Sequence, residues 1–404
     1  MTAIVSSPAP RRQAARPRAL RVAHVNANFT AGAGGITLRE ALTLDPDAFS
    51  STILAPRDGT LFGRAEEAGL DVVRLERMGS GRRVSPSSEL AAVRELMGHL
   101  RAGRFDVVHT HGGKSGVLGR LAARRLGVGA IVHTLHGFPF HEFHSPLTRT
   151  ALCTIERRLG RITDYFVTDG TFVASEAIRL KIAPPDRIRA LISSIDMVPP
   201  VTSARRREAR RLLGLPEEAQ VVGTVARLAE QKSPRDMVEA CAALRRPNTF
   251  MVWVGGGELR KKTEQLIQAK GLGDRFLLLG ERNDVAQLLP GFDVFALPSR
   301  WEGLPCSVLE AMTCGVPVVA SAVNSVPEIV IAGRTGIVTR PKDPQSLARG
   351  LAYMLDHPHD AARMAAAARD QIAEQFQPDR MGEELRDIYE TALRLAAKRR
   401  TNGQ

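Results

Sequence analysis

The stretch PSRWEGLPCSVLEAMTCGVPVVASAVNSVP, residues 298–327, decides the fold. Within it Glu302 and Glu310 stand eight positions apart, separated by the turn Gly303-Leu304-Pro305 and an apolar run that is typical of the first turns of a helix. The pattern resumes as a short apolar strand over 316–320, and another apolar strand leads in. Strand, loop, helix and strand in this order form the unit from which parallel sheets are built.

The loop before the predicted helix is suited to bind an anion. A turn that contains glycine exposes unpaired backbone N–H groups, and the helix dipole adds about half a positive charge there. Acidic side chains beside an anion site need hydroxyl groups as partners. Glu302 is placed to bind a sugar and Glu310 a ribose, and a phosphate between two such polyols is a nucleotide sugar. The alternative is that Glu302 caps the helix and Glu310 lies on a solvated face.

The stretch resembles the signature of the family-4 glycosyltransferases, which are retaining enzymes of GT-B fold. That signature, P-S-x-x-E-G-x-P-x-x-x-L-E-A-M-x-x-G-x-P-V-V-A, is matched at every fixed position from Pro298 to Ala320. Family members continue with a Gly-Gly pair, where this chain has Asn324-Ser325. The resemblance implies a donor-binding segment made of Glu302, Gly303, Leu304, Pro305 and Glu310.

The chain of 404 residues fits two domains of about 150–200 residues each. We therefore expect an α/β protein of GT-B fold, with two Rossmann-like, doubly wound parallel-sheet domains facing across a cleft. The predicted parts are a disordered basic tail (1–18), an N-terminal acceptor-side domain (19–196), a linker (197–204), a C-terminal nucleotide-sugar-binding domain (205–378) and a final helix (379–404). By resemblance, that helix crosses back to the N-terminal domain.

Short apolar runs alternate with amphipathic ones along the chain, as in a doubly wound sheet. The predicted strands of the first domain span 20–25, 51–55, 71–75, 105–109, 130–135, 164–167 and 188–192. Those of the second domain span 221–225, 250–254, 276–279, 294–297 and 316–320. Ligands of such sheets bind at the carboxyl ends of the strands, so the cleft is the predicted site.

The net charge of +13 resides mainly in the tails, because residues 1–20 and 391–404 carry +4 each. Only 5% of residues are aromatic, and no basic stretch is interleaved with aromatic residues, which argues against a nucleic-acid partner. An anionic membrane surface, a phosphorylated acceptor, or solubility alone would each explain the excess.

The sequence predicts a cytoplasmic location, with peripheral contact to the inner face of the plasma membrane as a further possibility. No apolar run approaches the ~20 residues that cross a bilayer, and the first residues lack the apolar core of a signal peptide. Four cysteines without a C-x-x-C pair suit a reducing compartment, and we expect them to fill space.

Two glycine-containing segments test other nucleotide-binding classes. Residues 30–37 would need glycine at Thr37 to complete a dinucleotide fingerprint. Gly34 and Gly35 instead resemble the family's glycine loop near the donor phosphates, with a plain turn as the alternative. The string Gly113-Lys114-Ser115 would need glycine at Val108 to form a P-loop. NAD enzymes and P-loop NTPases are therefore disfavoured.

Arg227 and Lys232 follow a predicted strand, and two cations at this spacing suit a diphosphate leaving group. They match the family's R-L-x-x-x-K motif, whose members use both residues on the diphosphate. Surface charge is the alternative. By resemblance to the segment that contacts the nucleobase, Arg282 is the candidate for that contact.

Four histidines, at 133, 136, 141 and 144, raise the question of zinc. No cysteine or paired carboxylate completes a ligand set, so we predict no metal site. The resemblance places His136 in the cleft beside the donor sugar, and a structural histidine is the alternative. In the next predicted helix, 146–161, Leu147, Ala151, Ile155 and Leu159 share one face, which predicts core packing. A membrane-facing or acceptor-facing role is the other interpretation.

Together these features predict a retaining glycosyltransferase that uses a UDP-sugar or GDP-sugar, with His136, Glu302, Arg227 and Lys232 as catalytic residues. We expect no metal ion to be needed, since none of these catalytic candidates belongs to a D-x-D motif. The expected acceptor is a hydroxyl of a polyprenyl-linked intermediate of an envelope polysaccharide. A small natural product such as an aminocyclitol is second, and a non-catalytic nucleotide-sugar binder is the alternative from another class.

Overall fold

The computed structural model describes residues 18–30, 32–79, 85–138, 140 and 144–402. Ala31, His141 and the predicted tail up to residue 17 lie outside the described residues.

The first domain is built on a seven-stranded parallel sheet with strand order β3-β2-β1-β4-β5-β6-β7. The strands are β1 (Leu20–Asn26), β2 (Phe49–Pro56), β3 (Asp71–Leu75), β4 (Val107–His111), β5 (Ala130–Leu135), β6 (Tyr165–Thr168) and β7 (Ile188–Ala190). The helices are α1 (Ala33–Thr43), α2 (Phe62–Glu67), α3 (Pro86–Gly103), α4 (Gly113–Leu126), α5 (Pro146–Gly160) and α6 (Thr171–Arg179).

The second domain has a six-stranded parallel sheet with strand order β10-β9-β8-β11-β12-β13. Its strands are β8 (Gln220–Val225), β9 (Thr249–Val254), β10 (Phe276–Gly280), β11 (Val294–Leu297), β12 (Val318–Ser321) and β13 (Ile337–Thr339). The remaining helices are α7 (Ser203–Leu213), α8 (Pro234–Leu244), α9 (Arg260–Ala269), α10 (Val285–Leu288), α11 (Cys306–Cys314), α12 (Val326–Ile329), α13 (Pro344–Asp356), α14 (Pro358–Gln375) and α15 (Pro378–Thr401).

Both sheets are covered by helices on their two faces, which explains why their strands are apolar along their whole length. In the second domain, for example, Phe295 and Leu297 pack into one core cluster, while Val294 and Ala296 pack into the other. The predicted fold is confirmed. The carboxyl ends of the parallel strands in each domain are left for ligands.

The structure departs from the strand predictions by one or two residues at several ends, and most clearly at β4, β12 and β13. β4 extends to His111, beyond the predicted end at 109, because its polar residues are buried and paired with β1 and β5. β12 begins at Val318, since the N–H of Val316 is bonded to the Ala311 carbonyl at the end of α11. β13, with three residues, was too short to be predicted.

Helix α5 is rotated relative to the prediction of a core face. Leu147 is 82% exposed and Ile155 is 43% exposed. The inward face carries Glu156 instead, which forms a buried ion pair of 2.8 Å with Arg120 of α4. A buried carboxylate must keep its partner, so this ion pair sets the rotation of the helix and leaves apolar side chains at the surface.

The final helix, α15, leaves the second domain and packs on the first sheet. Tyr389 is fully buried, and its hydroxyl lies 2.8 Å from Nδ1 of His109 on β4. Gly382 allows close approach, because a Cβ there would lie 2.2 Å from the Thr43 carbonyl. Within the described residues, no helix has the length and apolar character that a membrane span requires.

The bond between Tyr389 and His109 predicts a stability effect. Tyr389→Phe leaves a buried ring nitrogen unpaired, so we expect the free energy of unfolding in urea to fall by about 1–3 kcal/mol. Tyr353→Phe is the control, because that side chain is 39% exposed and its hydroxyl donates to Asp360 at the surface. Equal losses in the two variants would contradict the assigned role of Tyr389.

Candidate active site

A cleft of about 600 Å³ lies between the two domains at the carboxyl ends of their strands. The first domain contributes the turn at Gly112, His136 and Phe172. The second contributes Trp301 and Glu302 from the loop after β11. Of the residues predicted from sequence, His136, Glu302 and Gly303 line this cleft.

The loop between β11 and α11 carries a buried ion pair. Oε1 of Glu302 lies 2.5 Å from Nζ of Lys232, and the two side chains are 3% and 16% exposed. This loop is also joined through its main chain to the segment that carries Lys232, since the N–H of Arg300 donates to the Gln231 carbonyl at 2.8 Å. The structure therefore brings the predicted sugar-binding acid and the predicted diphosphate-binding cation into direct contact.

Gly303 is the point at which the second domain meets the first. A Cβ at this position would lie 2.1 Å from the carbonyl oxygen of His136, a distance that no side chain tolerates. Leu304 and Pro305 continue the loop, and α11 begins at Cys306 without a side-chain cap. The first turn of this helix is therefore left without a side-chain cap, as in helix ends that bind an anion.

Arg227 lies on a loop after β8 that is fixed by glycines after β9. A Cβ on Gly255 would lie 2.1 Å from the Ala226 carbonyl, and one on Gly257 would lie 2.5 Å from the Leu228 carbonyl. The Arg227 side chain is exposed and forms no hydrogen bond or ion pair with any described residue. It is therefore available to a ligand.

Asn324, which stands at the Gly-Gly position of the family signature quoted above, has a φ of +46° and so occupies the left-handed region. Asparagine tolerates this region better than most residues. Its Oδ1 accepts the backbone N–H of Glu302 at 2.9 Å. Asparagine at this position thus holds the Glu302 loop through a side-chain bond that glycine could not form.

Glu310 lies in the second turn of α11, and no described side chain forms a hydrogen bond or ion pair with its carboxylate. Burial raises its pKa to about 7, Arg39 of α1 opposes that shift, and Asp196 adds to it. A partly buried carboxylate without a hydrogen-bond partner is expected where a polar ligand supplies one.

His136, after β5, forms a dyad with Asp169, which follows β6. Nδ1 of His136 lies 2.9 Å from Oδ2 of Asp169, while Nε2 is buried without a partner in the described structure. Asp169 was missed from sequence, because one aspartate after a strand carries no pattern. With its proton held on Nδ1 by the carboxylate, His136 keeps Nε2 as an unpaired acceptor within a residue that lines the cleft.

A second histidine cluster lies behind His136. His24, Glu40, His109 and His111 are all buried, and their potential ligand atoms lie within 4.8 Å of one another. Both nitrogens of His109 are already occupied, by the hydroxyls of Tyr389 and Thr134.

Burial lowers the pKa of His24 to about 3, and it lowers the pKa values of His109 and His111. Burial also raises the pKa of Glu40, with a further contribution from Asp169. Burial therefore disfavours charge on all four side chains, while His24 Nε2, Glu40 Oε2 and His111 Nδ1 lie buried without a hydrogen-bond partner among the described residues.

The remaining predicted residues lie outside the centre of the site. Gly34 and Gly35 form part of the first turn of α1, and a Cβ on Gly34 would collide with the Asn28 carbonyl at 2.9 Å. The Arg282 side chain is bound to Asp284 at 2.7 Å at the surface. His133 is buried against Thr110, at 2.8 Å, and is separated from His136 by its partners.

Comparison with known families gives two matches. The profile described as Glycosyl transferases group 1 matches residues 205–371, and the Glycosyl transferase 4-like domain matches residues 31–193. The two matches cover the two domains of the structure.

Among individual relatives, the chain is 28% identical over 380 residues to an Escherichia coli UDP-Gal:alpha-D-GlcNAc-diphosphoundecaprenol alpha-1,3-galactosyltransferase, covering 92% of this chain and 96% of the relative. It is 31% identical to a D-inositol 3-phosphate glycosyltransferase of Stackebrandtia nassauensis, covering 73% and 70%. The fold is similar to Anabaena HepE in complex with UDP and glucose, with a TM-score of 0.81, 20% identity and coverage of 92% and 100%.

The raised pKa of Glu310 predicts a pH-dependent stability difference. The folded state holds its proton up to about pH 7, whereas the unfolded chain releases it near 4.5. Stability due to this group is therefore lost as the pH rises from 4.5 to 7. We expect Glu310→Gln to gain about 1–3 kcal/mol relative to the parent over this window, with a constant difference above it. Urea unfolding across this range tests the slope, and a difference that does not change with pH would contradict it.

Proposed function

We propose that this chain, which belongs to the glycosyl transferases group 1 family, moves a sugar from a nucleoside diphosphate to a hydroxyl of a diphosphate-linked lipid. The configuration at the anomeric carbon is retained. The observation that carries this proposal is the ion pair of Lys232 with Glu302 at the wall of the interdomain cleft, on the loop that leads into the uncapped first turn of α11. A cation and main-chain amides suit a diphosphate, and carboxylates suit polyols.

In this mechanism the diphosphate is the leaving group and also the base. The bond between the anomeric carbon and the phosphate oxygen breaks as the acceptor oxygen bonds to the same face, and the acceptor proton passes to that phosphate oxygen. Arg227, Lys232 and the Gly303 loop stabilise the growing negative charge. These groups replace a divalent metal, so we propose activity without Mg²⁺. Either a UDP-sugar or a GDP-sugar fits these contacts.

His136 and the two glutamates hold the carbohydrate groups. Nε2 of His136 accepts a hydroxyl of the donor sugar, since Asp169 keeps the proton on Nδ1. Glu302 holds the same sugar from the other domain, and Glu310 holds the ribose. Because the sugar contacts both domains, its reacting face is fixed when they are closed together.

The acceptor site is proposed along α5. A groove of about 450 Å³ adjoins the cleft and shares Phe140 and Arg149 with it. The next groove, of about 570 Å³, shares Arg157 and adds Lys181 and Arg187. A basic path that leaves a sugar-binding cleft suits the diphosphate of a lipid-linked acceptor, the type of substrate named for the Escherichia coli relative.

Peripheral contact with an anionic membrane is proposed for the same surface. Leu147 and Ile155 are exposed on α5, and Phe172 is 41% exposed at the edge of the cleft. Exposed apolar side chains beside arginines are typical of helices that lie in a membrane interface. A lipid chain bound through its diphosphate would leave the groove at this surface.

Glu302→Gln separates an enzyme from a nucleotide-sugar binder. We expect transfer to fall roughly 100-fold, because the donor sugar loses a positioning contact. Binding of the free nucleoside diphosphate is expected to persist, since Lys232 is released from its ion pair. Assays over a panel of nucleotide sugars with EDTA present, with mass spectrometry of the released nucleotide, measure both effects. Unchanged transfer, or no release from any donor, would contradict the proposal.

Arg149→Ala tests the acceptor path. Losing a charge-assisted contact is expected to raise KM for a polyprenyl-diphosphate sugar roughly tenfold or more, with the donor KM unchanged. Arg158→Ala is the matched control, because Arg158 is exposed on the same helix and lines none of the three cavities described above. Equal effects in the two variants would indicate general charge attraction instead of a site.

A further inference from the structure

Glu328 of the second domain caps a helix of the first. Its Oε2 accepts the backbone N–H of Thr171 and its Oε1 accepts that of Phe172, both at 2.8 Å. Helix α6 begins at Thr171, and its own N-cap residue, Gly170, offers no side chain. A carboxylate at this end satisfies open donors and faces the positive end of the helix dipole.

Gly170 makes this contact between domains possible. A Cβ at this position would lie 2.6 Å from Oγ of Ser325, 3.0 Å from its Cβ and 3.2 Å from Oε2 of Glu328. Its φ is −165°, an extended conformation that any residue adopts. A side chain at Gly170 would therefore be compatible with the backbone of the first domain. It would collide with Ser325 and Glu328 when the second domain is closed against the first.

The capping segment is connected to the active site from both sides. Asn324, four residues before Glu328, holds the Glu302 loop by accepting the backbone N–H of Glu302. On the other side, Phe172 and Val173 of α6 line the cleft opposite Glu302. Movement of Glu328 away from α6 would therefore separate the two walls of the site.

We infer that Glu328 is a positioning residue, which holds the closed arrangement of the two domains by capping α6 across the cleft. The inference rests on the proposed transferase site and adds to it how that site is assembled. Glu328 touches neither the donor nor the reacting atoms in this account. It acts through α6 and through the loop that Asn324 shares with Glu302.

Closure by Glu328 has a kinetic signature. A donor that contacts both domains binds the closed state, so a smaller closed fraction raises its apparent dissociation constant in proportion. Saturating donor restores closure through its own contacts. Loss of the cap should therefore raise the donor KM and leave kcat nearly unchanged, whereas loss of a purely local cap would change neither.

The experiment compares Glu328→Ala with Asp343→Ala in the full chain. Asp343 is the matched control, because it caps α13 within the second domain, accepting the N–H of Ser346 at 2.9 Å. For Glu328→Ala we expect the donor KM to rise roughly tenfold, with kcat changed less than about threefold. Small-angle scattering of the ligand-free variant should show a larger radius of gyration, which saturating UDP or GDP reduces. Asp343→Ala should show neither effect.

Gly170→Ala tests the same contact from the first domain and decides the matter if Glu328→Ala fails to fold. It should reproduce the rise in donor KM and in radius of gyration. Unchanged dimensions and donor KM in both variants would overturn the inference, and so would a loss confined to kcat. Because scattering of the ligand-free chain requires no turnover, it separates failure of this inference from failure of the proposed reaction.

Discussion

The contact between Gly303 and the carbonyl of His136 is the constraint on which the site depends. The main chains of the two domains touch here without any intervening side chain, since a Cβ on Gly303 would lie 2.1 Å from that oxygen. The contact places the Gly303 loop, which leads into α11, beside the His136–Asp169 dyad. A ligand in the cleft would therefore meet main chain and side chains of both domains at once.

Charge balance in the cleft follows from this close approach. Glu302 and Lys232 compensate each other while the site has no ligand, so the buried carboxylate is never left alone. Behind His136, burial lowers the pKa values of His24, His109 and His111 and so disfavours positive charge on them. Arg227 is exposed and has no partner among the described residues, so its charge remains available to the anionic ligand that we propose.

What could be predicted from the sequence was local. The segment that carries Glu302 and Glu310 is continuous, and its strand, loop and helix follow from spacing and turn chemistry. Asp169 and Glu328 escaped prediction, because each acts on a residue far away in the chain: Asp169 on the His136 ring and Glu328 on the first turn of α6. The rotation of α5 could not be predicted either, because Arg120, the buried partner of Glu156, belongs to another helix.

The central claim is that a nucleoside diphosphate lies between Arg227, Lys232 and the first turn of α11. A crystal structure of the chain with UDP or GDP bound tests it most directly. We predict phosphate oxygens at about 3 Å from both side chains and from the backbone N–H groups of the Gly303 loop. A diphosphate bound elsewhere, with Arg227 still turned to solvent and Lys232 still paired only with Glu302, would contradict the account.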